Sequence, residues 1–142
     1  MKSLVIIIII LFTVNLFTRE DTPIGSGVDT WNMPLNQWYM DKRLQTIYLV
    51  SEFANESRDF PLEISCVKLN LETIPDAAYN QFKIRMKEIE DSTLSYFDNT
   101  GLVTIFDQSN LTIGNPGWVS FPFNRQTFPY SGTNNFLIDF YF

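Results

Sequence analysis

The feature that most constrains this chain is a series of short runs rich in β-branched and aromatic residues, separated by Asn, Asp, Gly, Ser and Pro. Such runs are typical of strands, because these side chains pack well on a pleated surface and the intervening residues suit turns. The pattern predicts an all-β fold, mainly an antiparallel β-sandwich of the jelly-roll or immunoglobulin-like type. The predicted strands are 24–28, 44–53, 62–71, 102–106, 118–123 and 136–142.

Segment 79–89 fits two different periods. Its apolar residues at 79, 82, 86 and 89 recur at helical spacing, whereas those at 82, 84 and 86 also alternate with basic residues at 83, 85 and 87. The neighbouring segments decide between a helix and a strand. Because those neighbours are β, and a lone helix would need a sheet face to cover it, we predict a strand with one basic face towards solvent.

Alternation along the strands also assigns buried faces. Within 62–71 the apolar residues shift phase at position 67, which predicts a bulge or a change of buried face. In the last run the aromatic and apolar residues at 136, 138, 140 and 142 share one face, and Asp139 lies on the other. The aromatic residues at 118, 121, 123, 128 and 130 are expected in the core and its lid. The predicted core contains Ile47, Leu49, Ile64, Ile84, Met86, Ile105, Trp118, Ile138 and Phe140.

The N-terminus has the layout of a secretory signal peptide. Lys2 precedes an apolar run at 4–12 that continues, with two polar interruptions, to position 17. We assign residues 1–18 to a signal peptide and 19–142 to the domain. A helix over 4–17 would reach only about 21 Å at ~1.5 Å per residue, short of a hydrocarbon core of ~30 Å. A membrane anchor and a buried core strand are the alternatives. The expected location is extracellular or at the cell surface, with membrane contact only during export.

The other end of the chain also carries an expectation. The sequence stops on Phe142, inside an apolar strand. This predicts that the domain is truncated at its C-terminus and lacks its last strand. The final strand would then present an apolar edge or an unfilled core face, and the chain would self-associate through this strand.

Composition excludes several classes of function. The formal net charge is -6 and the basic residues are scattered, which does not fit a surface that tracks phosphates, so nucleic acid is not an expected partner. The sequence contains no histidine, which removes Ser-His-Asp catalysis and most zinc chemistry. The single cysteine, Cys66, lies in an apolar run with no histidine to serve as its base, and we interpret it as a buried, inert thiol.

Two groups of residues are candidates for binding. Trp31, Trp38 and Tyr39 lie in a polar stretch and offer flat aromatic faces for sugar rings, although packing over a sheet edge explains them as well. Asp98, Asn99 and Asp107 carry the oxygen ligands that calcium prefers, and ordinary turn chemistry is the competing explanation for the first two. No other cofactor is expected.

Four separated segments carry a resemblance to a known kind of module. They are DKRLQTIYLVSE at 41–52, FKIRMK at 82–87, GW at 117–118 and FPYSGTNNFLI at 128–138. In content and order they resemble a β-sandwich accessory module that is repeated in large secreted or cell-surface bacterial proteins. The resemblance covers the chain from about position 24 to its end. It implies an accessory or adhesion-type domain without catalytic residues, joined to other domains of a longer chain. The polar loop at 54–60, where such modules often carry glycine, departs from it.

The expected function is therefore a non-catalytic extracellular module that binds a glycan or protein, or that has a structural role. The alternative is part of a secreted hydrolase, with catalytic residues in this domain or a downstream one. In this domain the alternative requires two carboxylates such as Glu52 and Glu63 to converge, about 5 to 10 Å apart, in a concave pocket.

Overall fold

The computed structural model describes residues 21, 24, 35, 41–54, 60–124 and 126–142. Within these residues the chain is all-β, with one helix of five residues. Apart from Ile24, the predicted strand at 24–28 lies outside the described residues. The elements are β1 (Arg43–Tyr48), α1 (Val50–Ala54), β2 (Leu62–Ile64), β3 (Cys66–Leu71), β4 (Tyr79–Ile89), β5 (Val103–Leu111), β6 (Gly117–Pro122), β7 (Phe128–Tyr130) and β8 (Asn135–Tyr141).

The largest sheet has four strands in the order β1-β8-β4-β5, and each neighbouring pair is antiparallel. Strands β2 and β7 form a two-stranded antiparallel sheet, and β3 and β6 form another. We call these two small sheets the ribbons. The described fold is thus mainly antiparallel, as the alternation predicted.

The predicted irregularity within 62–71 is present as an interruption of the strand, and the buried side does not change. β2 and β3 are interrupted at Ser65, whose carbonyl accepts a hydrogen bond from the Phe123 N–H at 3.0 Å. Before the interruption Leu62 and Ile64 pack against the core, and after it Val67 does so. The shift of one residue lets both ribbons bury their apolar side chains on the same side.

Aromatic rings connect the four-stranded sheet to both ribbons. The ring of Phe82 on β4 lies 5.5 Å from that of Phe121 on β6. The ring of Phe136 on β8 lies 5.3 Å from that of Tyr130 on β7. Such pairs contribute roughly 0.5–1.5 kcal/mol each beyond the area they bury. The core therefore lies between one face of the four-stranded sheet, here called the inner face, and the two ribbons.

The prediction of a strand over 79–89 is confirmed, since β4 spans the same residues. Phe82, Ile84 and Met86 are fully buried on the inner face. The basic residues lie on the opposite face, as predicted, but this face is only partly open to solvent. Lys83, Arg85 and Lys87 are half-buried, and each forms an ion pair with a carboxylate.

The predicted strand at 44–53 is shorter than expected, because β1 ends at position 48 and α1 begins at position 50. The Glu52 carboxylate accepts a hydrogen bond from the Leu49 N–H at 2.6 Å, and the Asn135 side-chain oxygen accepts one from the Val50 N–H at 3.0 Å. These bonds satisfy backbone donors at the start of the helix. The turn of helix then places Phe53 in the core.

Strand β1 presents to the core the face opposite to the predicted one. Leu44 and Tyr48 lie opposite core residues of β8 and pack against the core. Ile47 therefore faces the other side of the sheet, where it is half-buried. Leu49 lies beyond the strand and is 39% exposed, so its prediction as a core residue is wrong.

The prediction that Trp118 is buried is also wrong, because its side chain is 66% exposed. On β6 the core side is taken by Val119 and Phe121, so Trp118 points to the opposite side. Ile64 is half-buried against the core. The other predicted core residues are buried, namely Ile84, Met86, Ile105, Ile138 and Phe140. Of the remaining aromatic residues predicted there, Phe121, Phe128 and Tyr130 are buried and Phe123 is half-buried.

The predicted faces of the last strand are confirmed, but the unpaired edge is not. Phe136, Ile138, Phe140 and Phe142 belong to the core, and Asp139 lies on the other face. β8 pairs with β1 on one side and β4 on the other. The expectation that β8 lies at a sheet edge is therefore wrong, and the edges of this sheet are β1 and β5.

Among the described glycines, Gly101, Gly117 and Gly132 have positive φ. Two of them differ in their surroundings. A Cβ at Gly132, where φ is 75°, would lie 2.2 Å from two ring atoms of Phe60. A Cβ at Gly101, where φ is 66°, would meet nothing within 4 Å.

We expect Gly132→Ala to lower the free energy of unfolding by about 3 kcal/mol, because it combines backbone strain with a steric clash. Gly101→Ala should cost about 1 kcal/mol, since only the strain applies. Gly114→Ala is the control, with open space and no positive φ, and should change stability by less than about 0.5 kcal/mol. Urea denaturation measures all three, and equal losses at 101 and 132 would contradict the clash.

Candidate functional site

The outer face of the four-stranded sheet, opposite the core, is built around Asp139. Its side chain is fully buried. Arg43 on β1 donates from Nε to Oδ1 at 2.6 Å, and Arg85 on β4 donates from Nε to Oδ2 at 2.6 Å. The strand register places Arg85 directly opposite Asp139. A buried carboxylate needs such partners, because an unpaired charge there would be costly.

Both arginines also lie against aromatic rings. The guanidinium carbon of Arg43 is 4.9 Å from the centre of the Phe97 ring, and that of Arg85 is 5.9 Å from the centre of the Tyr141 ring. Cations at this distance from a ring face are attracted by its quadrupole. The two contacts add to the ion pairs in holding the arginines on the outer face.

The segment between β4 and β5 is attached to this face through Asp98. The Asp98 carbonyl accepts hydrogen bonds from Arg43 Nη2 at 3.0 Å and from Gln45 Nε2 at 2.6 Å, and its N–H donates to Gln45 Oε1 at 2.8 Å. The Asp98 carboxylate forms an ion pair with Lys87. The same carboxylate accepts hydrogen bonds from the Thr100 N–H at 2.8 Å and hydroxyl at 2.9 Å. These contacts lower the pKa of Asp98 from 3.8 to about 2. The hydrogen bond from Lys87 is the largest cause, and the hydrogen bonds from Thr100 come next.

The structure does not assemble the predicted calcium ligands. Asn99 Oδ1 accepts a hydrogen bond from Arg43 Nη1 at 2.5 Å, and Asp107 forms an ion pair with Lys83 at 2.9 Å. The lysines bound by Asp107 and Asp98 are four positions apart on β4, a separation of roughly 13 Å along a strand. Among the described residues no three His, Cys, Asp or Glu side chains are grouped to bind a metal ion. The geometry favours turn and ion-pair roles for these residues.

The other predicted site residues are as follows. Trp31, Trp38 and Tyr39 lie outside the described residues. Glu52 stabilises the start of α1, and Glu63 on β2 accepts a hydrogen bond from the Thr127 hydroxyl. Neither glutamate lines the surface depression at the edge of β5.

An open depression of about 190 Å³ lies at the β5 edge and is lined by Thr104, Ile105, Phe106, Asp107 and Asn124. The Asn124 N–H donates to the Ile105 carbonyl at 2.9 Å, and its side-chain oxygen accepts from the Asp107 N–H at 2.5 Å. Asn124 thereby occupies backbone groups that an edge strand would otherwise expose to another chain.

Sequence reasoning missed an exposed tryptophan on the outward side of the β3–β6 ribbon. Trp118 lies opposite Asn70, and Ser120 follows two positions later on the same side of β6. The alternation signal was present in the sequence, because Val119 and Phe121 are apolar while Ser120 is polar. The core was the expected location of Trp118 because this residue flanks a proline and a turn within the strand region.

Comparison with known proteins gave no relative: no protein-family model matches the chain, and no curated protein or solved structure is significantly similar to it. Among the described residues, no helix has the length and apolar character needed to cross a membrane.

Removing the buried carboxylate should be far more costly than removing an exposed one. We expect Asp139→Asn to lower the free energy of unfolding by about 3 kcal/mol, because two half-buried arginines lose their shared partner. Asp107→Asn breaks a more exposed ion pair on the same sheet and should cost at most about 1 kcal/mol. Chemical denaturation of both variants provides the comparison. Similar losses would show that Asp139 does not organise the outer face.

The lowered pKa of Asp98 makes its contribution to stability depend on pH. Its folded-state pKa of about 2 lies below the value of 3.8 that is usual for an aspartate, so the stabilisation is present above pH 3.8 and is lost as pH falls towards 2. The difference in free energy of unfolding between wild type and Asp98→Asn should therefore be constant near neutral pH and shrink over this window. In a Lys87→Met background, which lacks the largest cause of the shift, the change should be smaller. A difference that does not vary with pH would contradict this account.

Proposed function

We propose that this chain is a non-catalytic extracellular β-sandwich module with a binding or structural role. It serves as an accessory or adhesion-type domain, joined to other domains of a longer secreted or cell-surface bacterial protein. Its partners are an extracellular glycan or protein rather than nucleic acid. The apolar run at 4–17 and the resemblance of the four sequence segments motivate the extracellular location and the domain type.

The shape of the core supports the sandwich proposal. Buried side chains of the inner face contact those of both ribbons, as the pairs Phe82 with Phe121 and Phe136 with Tyr130 illustrate. Two layers that share one apolar core are the arrangement a β-sandwich requires. The proposed sandwich is of the jelly-roll or the immunoglobulin-like type.

The proposal of a non-catalytic role rests on the contacts of the carboxylates, which form ion pairs and hydrogen bonds within the fold. Asp139, Asp98 and Asp107 pair with basic residues that brace the sheet. Glu52 and Glu63 each accept a hydrogen bond from a neighbouring segment. A glycoside hydrolase needs two carboxylates facing each other in a cleft. The depression at β5 is lined by one carboxylate, which pairs with Lys83.

The purified chain should not release reducing ends from cellulose, xylan, mannan or pectin above the level given by a Glu52→Gln/Glu63→Gln variant. The reason is that these glutamates stabilise local structure instead of activating water. Circular dichroism verifies that both proteins are folded. Release of reducing ends by wild type that disappears in the variant would replace this proposal with the hydrolase alternative.

A further inference from the structure

The outward side of the β3–β6 ribbon is a small polar surface with one exposed aromatic ring. The register pairs Val67 with Phe121 and Leu69 with Val119, and these four residues belong to or pack against the core. Residues between them therefore point away from the core. This outward side is here called the ribbon face. It consists of Cys66, Lys68, Asn70, Trp118, Ser120 and Pro122.

Trp118 is held at a defined position on this face, because it lies within a paired strand and not in a loop. Asn70 is directly opposite, which places the two Cβ atoms roughly 5 Å apart. Ser120 is two residues away on the same strand, at roughly 7 Å. Lys68 lies opposite Ser120. The indole ring of Trp118 thus has the amide of Asn70 and the hydroxyl of Ser120 near it, and both groups donate and accept hydrogen bonds.

The charge of the ribbon face is balanced. Its one basic side chain, Lys68, forms an ion pair with Asp21 at 2.5 Å. No other ionisable side chain except the Cys66 thiol lies on the face. A ligand that carries a negative charge would have to compete with Asp21 for the ammonium group, so the face suits a neutral ligand better than an anionic one.

The size and shape of the face favour a polymer over a protein or a small molecule. Three alternate positions on two strands cover roughly 10 by 14 Å, whereas a stable protein partner needs about 800 Å² on each side. Sites for small molecules are concave and bury most of the ligand. One side of a two-stranded ribbon contacts one side of its ligand, which suits an extended chain lying across the strands.

We propose that the ribbon face binds a neutral, unbranched glycan. The C–H face of one pyranose ring stacks on the indole of Trp118, since flat aromatic side chains bury apolar surface while leaving adjacent polar groups wet. Asn70 and Ser120 hydrogen-bond to the hydroxyls of that ring or the next. This assignment rests on the proposed function, for which it names the ligand class and the residues.

The test is isothermal titration calorimetry of the purified chain with cellohexaose as the neutral probe and hexagalacturonate as the anionic one. We expect binding of cellohexaose, weakened about tenfold by Trp118→Ala, which corresponds to a loss of about 1.4 kcal/mol. Asn70→Ala should weaken binding about threefold, as expected for one neutral hydrogen bond. Tyr96→Ala is the matched control, because Tyr96 is an aromatic residue outside the ribbon face with 88% exposure, and it should leave the affinity unchanged.

Three results of the titrations would overturn the inference. They are failure of the folded wild type to bind cellohexaose, an unchanged affinity in folded Trp118→Ala, and tighter binding of hexagalacturonate than of cellohexaose. Concentration-dependent dimerisation that Trp118→Ala abolishes would assign the face to a second copy of the chain and would also overturn it. Reducing ends measured in the same samples test the proposed function separately, since cleavage of cellohexaose contradicts a non-catalytic role whatever its affinity.

Discussion

The ion pairs of Asp139 with Arg43 and Arg85 connect three of the four strands of the largest sheet. Asp139 lies in β8, which is a central strand with both faces buried over most of its length. A slip of one residue in its register would move the carboxylate into the aromatic core, where no cation could reach it. Because the two arginines come from the strands on either side, the same contact fixes the positions of β1, β8 and β4 together.

The position of the candidate binding surface follows from this arrangement. Arg43 bonds to Asp98 and Asn99, so the segment between β4 and β5 is attached to the outer face of the sheet. The inner face is covered by the aromatic core and the ribbons. Asn124 occupies part of the β5 edge. The ribbon face, in contrast, has an exposed tryptophan among polar side chains. This is the surface that we propose binds a glycan.

Prediction from the sequence succeeded where one strand carries its own alternation. The shared face of Phe136, Ile138 and Phe140 and the shift within 62–71 followed from period alone. The buried residues of β4 followed from its alternation once the neighbouring strands had excluded a helix. Prediction failed where a contact from another segment decided the outcome. Asn135 bonds to Val50 at the start of α1, where the apolar run had favoured a longer strand. The register of β1 against β8 turned Ile47 away from the core, although its own run had predicted that it is buried.

The sequence by itself determined that this chain is built from short strands, where most of them lie and which side of the last strand is apolar, because these properties depend on neighbours within a few residues. The tertiary structure alone decided the order of the strands and the burial of Asp139. The partners of Asp139 are 54 and 96 residues away along the chain, so no local pattern indicates them. Trp118 is exposed because the pairing of β6 with β3 presents Val119 and Phe121 to the core, and a strand can bury only one of its two faces against a single layer.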